Sequence, residues 1–204
     1  MDYKWAREFT LKLIHQYSMA GTEIPASYNN QADYLLRIPG LLDDGQMYIA
    51  TNQGRIRATV PLGELERKVV GGWVEYTLPK DCWQVCGGLI RLEDGELRRD
   101  YKYRRIGDNR ILVPATVGEG VLLEYFRYPK LLGSDPADSA ELDNTPVAQM
   151  ALPYYAAAHI VMYDNAFAYQ ALYNEFEAKM IRLAGAPYAE PEQVEDTCAV
   201  RWQE

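Results

Sequence analysis

The chain has 204 residues, 48 % of them apolar, which is enough to bury a core without disulfides or metals. Its formal net charge of −8 argues against grip on nucleic acid by phosphate neutralisation, and suits a passage that DNA slides through without adhering. No run of eighteen apolar residues spans a membrane, the start MDYKWAREF lacks the layout of a signal peptide, and three cysteines read as those of a reduced, cytoplasmic protein.

Along residues 5–18, Trp5, Phe9, Leu13 and Tyr17 fall four apart, with Leu11 and Ile14 widening the stripe. That spacing predicts an amphipathic helix, with Gly21 as its stop. A second helix is expected within 28–51, capped by Asn30 and apolar through Tyr34, Leu35, Ile38, Leu41 and Leu42. Pro39-Gly40 is expected to break or kink it, with a shorter helical piece over 43–51 carrying Met47, Tyr48 and Ile49.

After Gly54 the period changes. Short runs at 55–60, 73–78, 84–90, 97–104, 110–114 and 121–128 include several rich in Val, Ile, Tyr and Trp. Gly71-Gly72, Glu93-Asp94-Gly95, Gly107-Asp108-Asn109 and Gly118-Glu119-Gly120 separate most of them, which predicts an antiparallel sheet or small sandwich. In 121–128, alternation sets Val121, Leu123, Tyr125 and Arg127 against Leu122, Glu124, Phe126 and Tyr128. The stretch YTLPKDCWQVCGGLI at 76–90 reads as a strand that bends after Pro79 and resumes. Cys82 and Trp83 then point to opposite faces, and Gly87-Gly88 permits a bulge.

Residues 129–145 form a largely polar linker. Thr145-Pro146 is a helix start, and the pattern stays helical to Leu183, with Pro153 kinking it or opening its main part and a turn at Asp164-Asn165. The last helix carries two rows: Phe167, Ala171, Asn174 and Ala178 on one, Leu172, Phe176, Met180 and Leu183 on the other. Residues 185–204 read as an extended tail with Val200 and Trp202 as anchors. The fold class is α+β: a helical core of 1–54 and 129–184, an inserted β-domain at 55–128, and the tail at 185–204.

Candidate chemistry is sparse. Cys82 and Cys86 lie four apart, but the remaining cysteine is Cys198 and the only histidines are His15 and His159. A zinc site wants four ligands in paired spacings, so buried thiols acting as small hydrophobes is the favoured reading. A lone histidine on an apolar helix is more often packed than catalytic. Asp43-Asp44 and Glu93-Asp94-Gly95 lack calcium-loop spacing and read as solvated turns. The expectation is of no catalytic, metal or cofactor residues. Sixteen tyrosines against four phenylalanines fit either extensive interfaces or a core built with Tyr.

One basic run stands out: Arg98, Arg99, Lys102, Arg104, Arg105 and Arg110, with Tyr101 and Tyr103 between them. On a single strand Arg99, Tyr101 and Tyr103 share one face and Arg98, Lys102 and Arg104 the other. This is a candidate partner patch for an acidic protein or a polyanion, weighed against a solvated sheet face.

Four stretches carry a resemblance: ADYLLRIPGLLDDGQMYIA (32–50), YTLPKDCWQV (76–85), LLEYFRYPKLL (122–132) and ALPYYAAAHIVMYDNAFAYQALYNEFEAKM (151–180). Together they make the chain resemble the head–tail connector (adaptor, neck) proteins of tailed bacteriophages and prophages, in the variety with a β insertion. The resemblance implies a ring of identical copies, commonly a dodecamer, seated below the portal protein at the virion neck and assembled in the bacterial cytoplasm. Such a ring extends the DNA channel, passes DNA without reading its sequence, and offers a platform to tail or stopper proteins. It implies no enzyme activity and no cofactor. The rivals are a polyanion-binding module using the Arg98–Arg110 run, and a hydrolase whose site is assembled from scattered residues such as His159 and Asp164.

Overall fold

The computed structural model describes residues 1–14, 31–93, 96–100, 103–117 and 120–184. Helix α1 spans Tyr3–Leu13, and the Asp2 carboxylate caps it by accepting from the Trp5 N–H at 2.8 Å. Its fully buried side is Tyr3, Ala6, Thr10 and Leu11. The expected Trp5–Phe9–Leu13 row is half-buried at the flank, where Trp5 stacks on Phe9 and Phe9 meets Tyr154 edge-on. Tyr17, Gly21 and Asn30 lie outside the described residues.

Helix α2 runs without interruption through Gln31–Asn52, with Pro39 inside it. Of the expected break or kink at Pro39-Gly40, the break is therefore corrected. A mid-helix proline costs about 3 kcal/mol through a lost hydrogen bond and a ring clash. Ile38, Leu42 and Ile49 are fully buried on this helix, each contributing about 1.5–3 kcal/mol, so burial on both sides of the proline outweighs it. Downstream, a Cβ on Gly45 would come within 3.0 Å of both Leu152 and Tyr155, which marks a close approach between helices.

Eight strands follow: β1 Ile56–Pro61, β2 Arg67–Val70, β3 Trp73–Thr77, β4 Cys82–Glu93, β5 Glu96–Asp100, β6 Arg104–Ile106, β7 Arg110–Pro114 and β8 Leu122–Arg127. They make two four-stranded antiparallel sheets, β1-β8-β4-β5 and β2-β3-β7-β6. Leu89 and Leu123 from the first sheet meet Tyr76, Ile111 and Val113 from the second in one apolar cluster, so the sheets form a sandwich. The 76–90 stretch does bend and resume, but it changes sheets as it does so. Leu78 N–H still bonds the Asn109 carbonyl in the β6–β7 turn of the second sheet, and Tyr128 N–H bonds the Asp81 carbonyl beside the first. Gly87 and Gly88, at φ +64° and +80°, form the bulge, and the register jumps between Val85 and Leu89.

Two strand expectations are corrected. The run at 97–104 is not one strand: β5 closes the edge of the first sheet and β6 opens the edge of the second. An unbroken alternation without Gly or Pro hid the crossover. Strand β2, fully exposed, was not expected at all.

The chain returns to helix at α3 Pro146–Gln149, α4 Leu152–Val161 and α5 Ala166–Ala184. Thr145 occupies the N-cap of α3, but its side chain makes no capping bond. Asn165 caps α5, its Oδ1 accepting from Ala168 N–H at 3.0 Å. Ala156, Ala157 and Ala158 are completely buried, and Phe176 and Met180 close the cluster shared by α1, α2, α4 and α5. Among the described residues no helix is long and apolar enough to cross a membrane.

Candidate interaction surfaces

The basic run divides between the two sheets. Arg98 and Arg99 lie on β5, paired with Arg91 and Ile90 of β4, whereas Arg104 lies on β6 opposite Leu112. The expected two-face alternation from Arg98 to Arg104 is corrected accordingly. Tyr101 and Lys102 lie outside the described residues, as do Val200 and Trp202 of the tail.

Most of these cations are engaged within the protein. Arg99 reaches over β4 to the Glu124 carboxylate at 3.3 Å, and Arg57 on β1 meets the same carboxylate at 3.2 Å. Glu124 is buried, and the gap that admits its side chain is the Gly87 bulge: a Cβ there would lie 2.0 Å from Glu124 Oε2. One carboxylate on β8 thus ties β1 and β5 together across the sheet. Arg110 pairs with Glu75 at 2.9 Å, Arg104 lies over the Trp73 ring, and Arg105 donates to the Asp108 carbonyl at 3.0 Å. Tyr103 is half-buried against the sandwich core. The side chains thus brace strands and turns, and the run is not one continuous cationic face.

Buried thiols are expected from the sequence, but Cys82 and Cys86 are only half-buried. Cys82 packs against the sandwich core, while Trp83 on the opposite face stacks on Phe126. Burial pushes the Cys82 thiol up to about 11, against the pull of Arg105. Burial, with Glu124 adding, pushes Cys86 to about 11 as well. Near neutrality both are thiols, poor as nucleophiles and as metal ligands. Cys198 and His15 lie outside the described residues. Among the described residues no cluster of three or more His, Cys, Asp or Glu could hold a metal ion. His159 Nδ1 lies 2.8 Å from the Tyr155 carbonyl, so it carries the proton, and the ring sits among Tyr155, Tyr169 and Tyr173. No hydrogen bond or ion pair among the described residues joins it to Asp164, and the hydrolase reading gains no geometry.

Sequence reasoning missed a polar joint. Asp43 belongs to α2 and is buried, not a solvated turn. Its carboxylate accepts from Leu132 N–H at 2.7 Å, Gly133 N–H at 3.0 Å and Gln46 Nε2 at 3.1 Å. Gln46 Oε1 accepts the Asp143 N–H at 2.8 Å, and the Asp143 carboxylate takes a two-pronged ion pair from Arg127 at the end of β8. Burial alone would raise the Asp143 pKa, but hydrogen bonds from Arg127 and from Lys130 N–H hold it below the usual carboxylate range. The linker that leaves the sandwich is thereby fastened to the helices. The signal was present: Asp43 and Gln46, three apart, interrupt an otherwise apolar helix face.

Among the described residues, large apolar side chains are exposed at several places, including Leu36 on α2, Tyr163 in the turn before α5, Phe167 and Ile181 on α5, and Val69 and Val70 on β2. The two rows read on α5 separate cleanly. Phe176 and Met180 are buried with Leu172 and Leu183 beside them, and the row Phe167, Ala171, Asn174, Ala178 faces solvent and continues to Ile181. Those spacings of four and three repeat every seven residues, the period of a helix seam that meets another helix. Compared with known proteins, the sequence matches no protein-family model, and no curated protein is similar to it.

Proposed function

We propose that the protein is a structural subunit of a phage or prophage neck, a head–tail connector that works as one member of a ring of identical copies below the portal. The resemblance of the four sequence stretches motivates this reading. The observation that carries it is the exposed α5 row on a helical unit interrupted by a β-sandwich. A subunit wedged between copies needs two outward surfaces and no reactive group. Small Ala171 and Ala178 permit a close helix approach, and Phe167 and Ile181 supply apolar area at either end. In this reading the acid excess keeps the lumen from holding passing DNA, and tail or stopper proteins dock on the far side. The protein is then neither enzyme nor cofactor carrier, and it resides at the virion neck after assembly in the host cytoplasm. The polyanion rival is weakened by the internal ion pairs of Arg99 and Arg110.

The test is assembly on the portal. The full chain, mixed with the portal ring encoded beside it, is imaged by negative-stain electron microscopy. A ring of extra density coaxial with the portal is expected. A genome in which no portal, capsid or tail gene adjoins this one, together with no binding to any portal ring, would overturn the reading.

A further inference from the structure

The helical unit has a recess as well as an exposed row. Between α1 and α2 lies a groove of about 390 Å³, lined by Tyr3, Arg7, Leu35, Leu36, Pro39 and Pro136. Arg7 pairs with Asp138 at 2.7 Å, and its guanidinium lies over the Tyr3 ring, which holds the α1 wall in place. On the α2 wall Leu36 is 81 % exposed, so the groove offers apolar surface to whatever enters it. A closed apolar cavity of about 150 Å³ already holds a benzene ring, so an aromatic side chain fits here with room to spare.

The row on α5 points away from this groove. α1, α2 and α5 all pack on α4 and surround it: Phe9 of α1 and Lys179 of α5 both reach the Tyr154 ring, and Tyr48 of α2 meets Phe176 of α5. The groove opens between α1 and α2, on the side of α4 remote from α5, while Phe167 leads the exposed row on the α5 side. A projection on one side and a recess on the other make head-to-tail contacts, the kind that closes into a ring. Pairing of α5 with the α5 of another copy would stop at two copies and leave the groove bare. Charge favours the groove as well. Glu175, Glu177 and Arg182 are the exposed charges beside the α5 row, with Asp164 in the turn before it, whereas α1 exposes Lys4 and Lys12 and keeps Glu8 half-buried. Phe167, Ala171 and Asn174 have the spacing of a helix that lies in a groove, and the small Ala171 lets its backbone come close.

We propose that the α1–α2 groove receives α5 of the next copy, with Phe167 seated between Tyr3, Leu36 and Pro39. This names the acceptor for the α5 row and rests on the connector reading. Cross-linking tests it. Ser134, at the groove, and Ala166, beside Phe167, are both exposed. Full chains carrying either Ser134→Cys or Ala166→Cys are mixed on the portal ring and treated with a short bismaleimide, with the native chain treated in parallel to account for its own cysteines. Mass spectrometry should find links between positions 134 and 166, which can form only between copies, and none between two positions 166. Leu36→Asp added to the Ser134→Cys chain should cut the yield about tenfold while the melting temperature holds. Links between two positions 166 would assign α5 to the α5 of another copy and overturn the proposal, as would a yield indifferent to Leu36→Asp. Density on the portal without links between 134 and 166 overturns the groove and leaves the connector reading standing. Absence of both density and links overturns the two together.

Discussion

In the helical unit the buried polar groups other than Thr10 sit at the joints. Asp43 and Gln46 receive the linker that returns from β8, while the interior between α1, α2 and α4 is left to Leu11, Ile38, Leu42, Ala156 and Ala157. In the sandwich the arrangement is reversed. The apolar cluster is small, and the outer face of the first sheet is held by a buried carboxylate gripped from two strands by Arg57 and Arg99. Close packing tolerates little change of volume, whereas a charge cluster tolerates little change of geometry. The two regions should therefore fail in different ways, and the following substitutions probe that difference.

The largest effect is expected from Phe176→Ala, since Phe176 is fully buried among Tyr48, Tyr155 and Tyr173. Emptying such a site costs about 3–5 kcal/mol. Denaturant unfolding measures the loss, and hydrogen exchange locates it: the Ile160 amide should exchange faster while that of Leu123 does not. If both accelerate together, the two cores behave as one cooperative unit and the comparison breaks. Next comes Gly87→Ala. A left-handed residue with a side chain costs about 1–2 kcal/mol, and displacing Glu124 from its arginines brings the total to about 2–4 kcal/mol. Gly71→Ala is the matched control, for it shares the positive φ but has open space where its Cβ would stand, so only about 1 kcal/mol is expected. Equal losses at the two glycines would remove the charge cluster from the account.

How much of this could be read from the sequence follows from the range of each signal. Gly71-Gly72 between β-rich runs, Gly87-Gly88 after Val85, and the two rows of α5 are local patterns, and the α+β class follows from them. The continuity of α2 through Pro39 is not local, because burial of Ile38 and Leu42 against other helices decides it. Nor is the split of 97–104, where the residues alternate without a break and only the presence of two sheets divides them. The role of Arg99 depends on a glycine twelve residues earlier and a carboxylate twenty-five residues later. Asp43 reads as a charged turn beside Asp44 because its partners, the backbone of Leu132 and Gly133, lie far along the chain; the only local sign is its three-residue spacing from Gln46 on an apolar helix face.

The joint between the regions answers to pH. Asp143 titrates lower in the folded chain than its unfolded value of about 3.9, so its bond to Arg127 contributes stability fully above that value. The contribution is lost as pH falls through the lower, folded pKa. Melting curves of the native chain should drop below about pH 4. Asp143→Asn should be less stable near neutrality by about 1–2 kcal/mol and should converge on the native chain in acid. Parallel curves across the whole acid range would mean the ion pair does not fasten the linker.

The smallest effect on stability is expected where the effect on assembly is greatest. Phe167 is 86 % and Ile181 69 % exposed, so Phe167→Ser and Ile181→Ser remove little buried area and should each stay within about 0.5 kcal/mol of the native chain. In the proposed ring the same residues lie at the ends of the seam between copies, so the double substitution should abolish density on the portal while the melting temperature holds. Tyr163→Ser, 83 % exposed in the turn before α5 and off that row, separates specific seam contacts from general loss of surface apolarity. If Tyr163→Ser blocks assembly as strongly as the double substitution, the heptad row has no special standing. If neither does, the interface between copies lies elsewhere, and the helical unit presents its apolar side chains to some other partner.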